Sequence, residues 1–334
     1  MIIDLIVDVG SENIKIFRRG AGVVLNEPSL ALVDRKAKTV SLRETGIRAK
    51  KLAADFLKEY APVHPIKNGV IADEEIAASL FRAFFEKIDV KPAFPDVLRV
   101  VALVGCGLSY SDRRTVARVL KAAGASRVYV VDGLLGLYSF ADVSRGFFVD
   151  IGGASANIGF VSAEGVTAGC QADMGGNTVN EAISYAAETR YGVIIKNQTA
   201  EKIKLASGGL NAHANSKITL NGRDGRTGEY RAVTMLAGDI AASVRSLLDN
   251  LVLLINAVLY SLPEDDYNYV CRNGFYLAGG TVNLPGLAEY LAESLRLRVL
   301  IVKEGETAAV AGGERFFEEK GMLRKMISVE TKKN

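Results

Sequence analysis

The 334-residue chain has only three cysteines, Cys106, Cys170 and Cys271, far apart and with no CxxC pairing. That spacing excludes a disulfide framework and a cysteine zinc site, and it suits a reducing cytoplasm. Histidine is scarcer still: His64 and His213 sit outside any motif and read as surface or turn residues, so histidine-based catalysis is not expected. Excess charge is also missing. The net charge of +3 comes with no basic cluster interleaved with aromatics, so direct nucleic-acid binding is not expected. The longest apolar stretch, Leu251 to Tyr260, contains Asn256 and is too short to span a bilayer. The first residues open directly into a strand carrying Asp4 and Asp8, so no signal peptide is expected there. What remains is an ordinary α/β composition, 49% hydrophobic and 24% charged, with length enough for two lobes with separate cores.

Two stretches dominate what is present. Gly146 to Val161 reads GFFVDIGGASANIGFV: a buried-strand run ends in Asp150, two glycines and small polar residues follow, and a second apolar run returns. This is the pattern of a tight hairpin. Its glycines either simply make the turn or supply φ > 0 and a backbone nest for an anion, with the acid placed to handle a divalent metal. Leu5 to Phe17, LIVDVGSENIKIF, repeats the pattern with Asp8, Gly10 and Ser11. The two acids stand 142 residues apart (150 − 8). Two lobes, each presenting an acid and a nest, can clamp a polyphosphate from both sides.

Residues 1 to about 33 read as a strand meander, and 34–68 as a small, basic inserted subdomain whose Ile47–Tyr60 part has helical character. Asp73 caps an amphipathic helix running to Ile88, with Phe81, Phe84 and Phe85 on its core face. Pro92-Ala93-Phe94-Pro95 is a rigid loop with one aromatic. Strand Leu98–Val104, helix Ser111–Ala123, strand Val128–Val131 ending at Asp132, and a short helix Leu134–Ala141 then alternate, which implies a mostly parallel sheet. Further on, Gly175-Gly176 opens a helix through Tyr191. Either its free N–H groups contact phosphate, or it is an ordinary first turn capped by Asn177. Glu201 and Lys204 share a face of the helix Thr199–Ala206, the spacing of a surface ion pair. Residues 207–235 read as polar and Gly-rich with alternating strands, and Leu236–Tyr260 as one long helix or two abutting ones. Strand Gly274–Ala278, the Gly279-Gly280-Thr281 break, helix Leu287–Leu295, strand Arg298–Val302 and a last helix Thr307–Phe317 complete the chain, and a Lys-rich tail Thr331–Asn334 is expected to be disordered.

Taken together, these motifs resemble the actin/DnaK-chaperone/sugar-kinase superfamily, and within it the MreB-like bacterial actin homologues. DVGSENIKI is similar to the first phosphate loop, DIGGASANIGF to the second and LAGGTVNLPGL to the adenosine motif. VLNEPSLALV, PIKNGVIAD, MGGNTVNEAI and the TAEKIK helix fit the narrower family in order and spacing. The resemblance implies an actin-like ATPase fold: two duplicated ribonuclease-H-like lobes, 1–145 and 146–334, with inserted subdomains at about 34–68 and 182–235 and the nucleotide in the cleft between them. It implies ATP and Mg²⁺ as ligands. Asp8 and Asp150 would hold the metal's water shell. Ser11, Glu12, Asn13 and Lys15 would line the first loop, and Gly152, Gly153, Ala154 and Ser155 the second, with Gly175 and Gly176 beside it. Glu201, Lys202, Ile203 and Lys204 would face ribose and adenine, and Gly279, Gly280, Thr281, Val282, Asn283 and Leu284 would flank the nucleotide from the other side.

The chain departs from the family pattern at the catalytic position. Where a Glu-Pro usually orients the attacking water, it reads Asp132-Gly133, one methylene shorter, so slow hydrolysis with binding preserved is expected. The second loop has Ala154-Ser155 where a third glycine and a threonine are usual, and no amphipathic N-terminal extension is expected before the first strand. The resemblance implies a slow ATPase that polymerises into cell-shape-determining filaments, cytoplasmic and in contact with cell-wall or division proteins. A membrane-surface contact would fall on Phe94. A divergent scaffold for plasmid segregation or division, with weak hydrolysis, is the alternative. A chaperone would need a further peptide-binding domain, and a small-molecule kinase would need a base other than Asp132.

Overall fold

The computed structural model describes residues 2–34, 41–53, 59–90, 97–206, 209–211, 213–318, 327 and 329–331. The Phe94 loop and most of the Lys-rich tail lie outside them.

Strands β1 (Ile2–Asp8), β2 (Asn13–Arg18) and β3 (Gly22–Pro28) form the opening meander, followed by β4 (Ala31–Asp34), β5 (Leu42–Thr45), helix α1 (Gly46–Leu52), β6 (Tyr60–Val63), β7 (Ile66–Lys67) and β8 (Val70–Ile71). Then come α2 (Glu74–Lys87), β9 (Val97–Val104), α3 (Tyr110–Ala122), β10 (Arg127–Asp132) and α4 (Gly133–Ala141). A second meander, β11 (Arg145–Ile151), β12 (Ala156–Ser162) and β13 (Gly165–Ala172), leads to α5 (Gly176–Tyr191), β14 (Val193–Ile194), α6 (Asn197–Ala206), β15 (Lys217–Asp224) and β16 (Tyr230–Leu236). The chain continues through α7 (Ala237–Tyr260), α8 (Glu264–Asn273), β17 (Phe275–Ala278), α9 (Leu287–Leu295), β18 (Val299–Ile301), α10 (Ala308–Gly312), α11 (Arg315–Glu318) and β19 (Val329–Thr331).

One sheet has the order β19-β10-β9-β1-β2-β3 and another β13-β12-β11-β17-β18. Each places a three-strand meander beside further strands. In the first, β1, β9 and β10 are parallel, with Ile6 opposite Val101 and Tyr129 opposite Val101. By internal packing the chain divides into two units. One comprises Met1–Phe148, Asn157–Gln171 and Glu306–Asn334, the other Val149–Ala156 and Ala172–Gly305. The C-terminal segment returns to the first unit. β19 pairs with β10 (Val128 opposite Thr331), and α10 lies so close on α4 that a Cβ at Gly312 would stand 2.0 Å from the Gly136 carbonyl. Thr331 is therefore strand, not tail.

In the first unit the core forms because β1, β9 and β10 are buried on both faces and α2 closes over them. The Asp73 carboxylate caps α2 by accepting from the Ile76 N–H at 2.9 Å. Phe81, Phe84 and Phe85 are fully buried, each contributing roughly 2–3 kcal/mol by area removed from water. The inserted subdomain builds its own small core from Leu30, Leu32 and Ala49. Buried Glu27 ties it down, accepting from the Ile47 N–H and pairing with Lys87 at the end of α2.

In the second unit, β14, β15 and β16 make a separate three-stranded sheet. Leu236–Tyr260 resolves as a single helix, α7, of 24 residues, long and apolar enough by length and composition to cross a membrane. Its buried residues Ile240, Val244, Leu248, Leu251, Ile255 and Val258 recur every three or four positions, the stripe of a helix packed along one side. Where one terminal helix was expected at Thr307–Phe317, two short ones stand, α10 and α11.

Candidate functional site

In the first unit, the β1–β2 hairpin sets Asp8 directly opposite Lys15, and the register brings Nζ to 2.9 Å from Oδ2. The turn between them is held on both sides. A Cβ at Gly10 would lie 2.1 Å from the Asn13 carbonyl, so only glycine fits there. The Ser11 hydroxyl accepts from the Gly69 N–H at 2.8 Å, and the Glu12 carbonyl accepts from the Ser29 N–H at 2.9 Å.

Asp132 ends β10 at the N-cap position of α4, yet its side chain makes no cap. Instead Oδ1 accepts from Arg113 Nη2 at 2.7 Å, and the same guanidinium donates through Nε to the Leu108 carbonyl at 2.8 Å. The Arg113 side chain is only 8% exposed and that of Asp132 20%. Asp132 is thus an ion-pair partner first, and a water seeking Oδ1 would compete with a buried guanidinium. Sequence reasoning gave Arg113 no part in the site. Its spacing to Val116, Ala117 and Leu120 puts it on the buried face of α3, which was the available signal.

Cys106 lies nearby, its N–H donating to Asn157 Oδ1 at 2.9 Å. Burial foremost, then the charges of Asp132 and Cys170, push its thiol up to about 12. The folded chain keeps that proton where an unfolded thiol near its ordinary value has lost it, so stability falls as pH rises through the interval up to about 12. Iodoacetamide at pH 8 should label exposed Cys271 while Cys106 stays unmodified, read by peptide mass spectrometry. Early labelling of Cys106 would contradict this.

In the second unit, the turn Gly152–Ser155 closes with the Gly152 N–H on the Ser155 carbonyl at 2.8 Å. Neither Gly152 nor Gly153 has a positive φ. Glycine is needed around this loop for close approach. A Cβ at Gly175 would stand 2.6 Å from the Gly153 carbonyl and 2.7 Å from that of Gly152. The start of α5 is docked on the loop: the Gly176 N–H donates to the Gly152 carbonyl at 3.0 Å and Asn177 N–H to that of Gly153 at 2.8 Å. Two helix N-terminal donors read as available to phosphate are therefore spent on the loop. The cap is Gly175 rather than Asn177, with Thr178 Oγ1 accepting from the Gly175 N–H at 2.9 Å.

The Gly279–Leu284 segment docks on the same loop. Thr281 Oγ1 donates to the Gly152 carbonyl at 2.7 Å. Gly279 holds φ +91°, and a Cβ there would lie 2.2 Å from the Ile151 carbonyl and 2.7 Å from Asp150 Oδ1. Gly280–Asn283 forms a 3₁₀ turn in which the Leu284 N–H returns to the Thr281 carbonyl at 2.9 Å and Asn283 Nδ2 donates to the Gly280 carbonyl at 3.2 Å, while Val282 N–H reaches Gly279.

On α6, Lys204 is buried, with Nζ 2.7 Å from Glu201 Oε2 and 3.2 Å from the Gly176 carbonyl. Glu201, whose side chain is 45% exposed, also accepts from Asn180 Nδ2 at 2.6 Å. The ion pair read from spacing is present, but it sits against the start of α5. Lys202 points to solvent and Ile203 into the core. Asn180 was missed by sequence reasoning; it shares the buried face of α5 with Ile183 and Ala187.

Each unit therefore presents an acid beside a tightly turned hairpin, and the second adds a helix start and a glycine-rich segment that converge on one loop. The sequence matches the MreB/Mbl protein family over residues 2–325. The chain belongs to the MreB/Mbl family. The cell shape-determining protein MreB of Escherichia coli K12 is 26% identical over 323 residues, covering 94% of this chain and 93% of that protein. The cell shape-determining protein Mbl of Bacillus subtilis is 26% identical over 306 residues, covering 90% and 91%. Among solved structures, MreB5 of Spiroplasma citri bound to AMPPNP superposes with a TM-score of 0.85 at 22% identity over 97% of each chain. A MamK double helical filament gives 0.78 at 17% identity, covering 96% of this chain and 99% of the other. The fold of this MreB/Mbl member is accordingly actin-like.

Proposed function

We propose that this MreB/Mbl-family chain is a cytoskeletal protein of the cell-shape-determining class that binds ATP with Mg²⁺, hydrolyses it slowly and polymerises with itself in the cytoplasm. The observation that carries the reading is the convergence on the Gly152 carbonyl of the Gly176 N–H and the Thr281 hydroxyl, which fixes a phosphate-type loop in place. Support comes also from MreB5 of Spiroplasma citri, which was solved with AMPPNP and with ADP.

In this reading Gly152–Ser155 and Ser11–Asn13 contact the phosphates, Glu201 and Lys204 the ribose and base, and Gly279–Leu284 the opposite flank of the nucleoside. Gly175 and Gly176 hold the loop. Lys15 partners Asp8 until a ligand phosphate draws it away. Asp8 would fit the outer shell of Mg²⁺, since a carboxylate oxygen accepts hydrogen bonds from the waters that ion keeps and Lys15 is bonded to Oδ2; Asp150 is assigned the same part. The metal, when bound, offsets the charge of the β- and γ-phosphates. Asp132, paired with Arg113, orients water poorly, so hydrolysis is slow.

That ion pair also favours the second reading, a scaffold for segregation or division that holds ATP with little turnover. Electron microscopy of the purified protein with ATP and Mg²⁺, alongside phosphate release, tests both. Filaments with slow release support the proposal, and filaments without measurable release favour the scaffold. A monomer that phosphorylates a sugar would overturn both.

A further inference from the structure

A recess of about 430 Å³ opens at the beginning of β1, lined by Ile2, Ile3, Asp4, Arg18, Arg19 and Arg99. It lies at the opposite end of the strand from Asp8. Four residues of extended chain separate Asp4 from Asp8, on the order of 13 Å. Parallel strands of α/β sheets present ligands at their C-terminal ends, where Asp8 and Asp132 stand. The recess is at the other edge and belongs to no part of the nucleotide reading.

Its charge is unbalanced. Among the described residues, three guanidinium groups face a single carboxylate, Asp4, which is buried with 7% exposure. Arg99 takes that carboxylate in a two-pronged grip, Nε to Oδ1 and Nη2 to Oδ2, both at 2.6 Å. The Arg99 guanidinium also stacks over the Phe317 ring, 5.3 Å from its centroid, which fixes its plane. Arg19 reaches Asp4 only at 3.7 Å, beyond hydrogen-bond distance, and its side chain is 42% exposed. Arg18 has no ion pair or side-chain hydrogen bond among the described residues. One acid thus offsets one arginine and leaves two positive charges at the mouth of a formed recess. A planar guanidinium fork matches the oxygens of a phosphate group, and two such forks beside each other bind it better than separate point charges. Ile2, 60% exposed, gives the recess an apolar wall next to its cationic floor.

We propose that this recess is a binding site for a phosphate oxyanion, held by Arg18 and Arg19, with Arg99 and Asp4 as the fixed base. Two sources supply that chemistry: free phosphate, or the phosphodiester headgroup of an anionic lipid, whose chain would run along Ile2. Neither engages the residues assigned to ATP.

The test uses the full chain without nucleotide. Inorganic phosphate is titrated by calorimetry, and co-sedimentation is measured with vesicles of phosphatidylglycerol and, in parallel, of phosphatidylcholine. Saturable binding of phosphate identifies the free anion. Sedimentation with phosphatidylglycerol but not phosphatidylcholine identifies the headgroup. In either case Arg18→Gln/Arg19→Gln should weaken binding at least tenfold, while ATP affinity stays within twofold of the unaltered chain. Should the double variant fail to fold, Arg19→Gln alone, at an exposed position, should still weaken binding about threefold. Absence of binding to both probes by the unaltered chain overturns the proposal, and so does binding that the folded variants leave unchanged. Loss of ATP binding in the unaltered chain would instead strike the nucleotide reading and leave this one standing.

Discussion

Replacing Arg113 with alanine should lower the stability of the first unit by about 2–3 kcal/mol, with a melting temperature roughly 5–10 °C lower. The reason is asymmetric. Arg113 is buried, and its removal strands both the Asp132 carboxylate and the Leu108 carbonyl. Asp132 keeps 20% exposure, so water recovers part of the loss, and the figure lies below that for a fully buried pair. An Arg113→Ala/Asp132→Asn double variant should regain part of the deficit, because no unpaired charge is left behind. A melt within about 1 °C of the unaltered chain would show the ion pair to be energetically idle. Hydrolysis offers a second readout. Asp132→Glu extends the carboxylate by one methylene toward water, and its phosphate release should rise several-fold. An unchanged or lower rate would remove Asp132 from catalysis and leave it as the anchor of Arg113.

Gly175→Ala should cost roughly fivefold or more in ATP affinity. The backbone there is extended, with φ −165°, a conformation alanine adopts freely, so no strain arises from the backbone itself. The damage comes from contact. The new methyl group would stand 2.6 and 2.7 Å from two carbonyl oxygens of the Gly152–Ser155 turn, closer than real Cβ atoms approach anything. Either the turn or the start of α5 must move. Overpacking of this kind costs about 1–3 kcal/mol, which corresponds to roughly fivefold to a hundred-and-fiftyfold if it falls on the ligand-bound form. Fluorescent ATP-analogue titration measures it. Gly225→Ala, whose methyl would meet nothing closer than the Gly192 carbonyl at 3.6 Å, serves as the control and should bind within twofold. Equal affinity in the two variants would dissociate the Gly175 contact from nucleotide binding.

Features governed by short-range pattern were legible in the residues. The helix capped by Asp73, its phenylalanine face and the two acid-ended hairpins depend on local periodicity and turn chemistry, and the structure places them where the pattern does. What could not be read depends on partners distant in the chain. The closing strand finds β10 about two hundred residues earlier, and Gly312 settles against Gly136. Small residues at 136 and 312 advertise that backbones approach there, but nothing local says which ones meet. The same limit applies to Arg113. Its spacing marks it as buried, whereas its choice of Asp132 is a matter of tertiary geometry. At Gly175-Gly176 the sequence left two readings open, and what decides where the Gly176 and Asn177 donors go is the neighbouring loop, a partner distant in the chain.

That last arrangement has a consequence for ligand choice. A carbonyl oxygen has two lone pairs, and at Gly152 one is taken by an amide and the other by a hydroxyl. The carbonyl of Gly153 is engaged by Asn177 as well. The Gly152 and Gly153 carbonyls are thus engaged by α5 and Thr281. In the proposed reading this would leave an anion the N–H groups of the turn, and would leave Mg²⁺ to the neighbouring Asp150 carboxylate. Selectivity of this kind does not fade with salt as long-range charge attraction does, so an ionic-strength series separates it from the arginine-lined recess, whose attraction should weaken steeply.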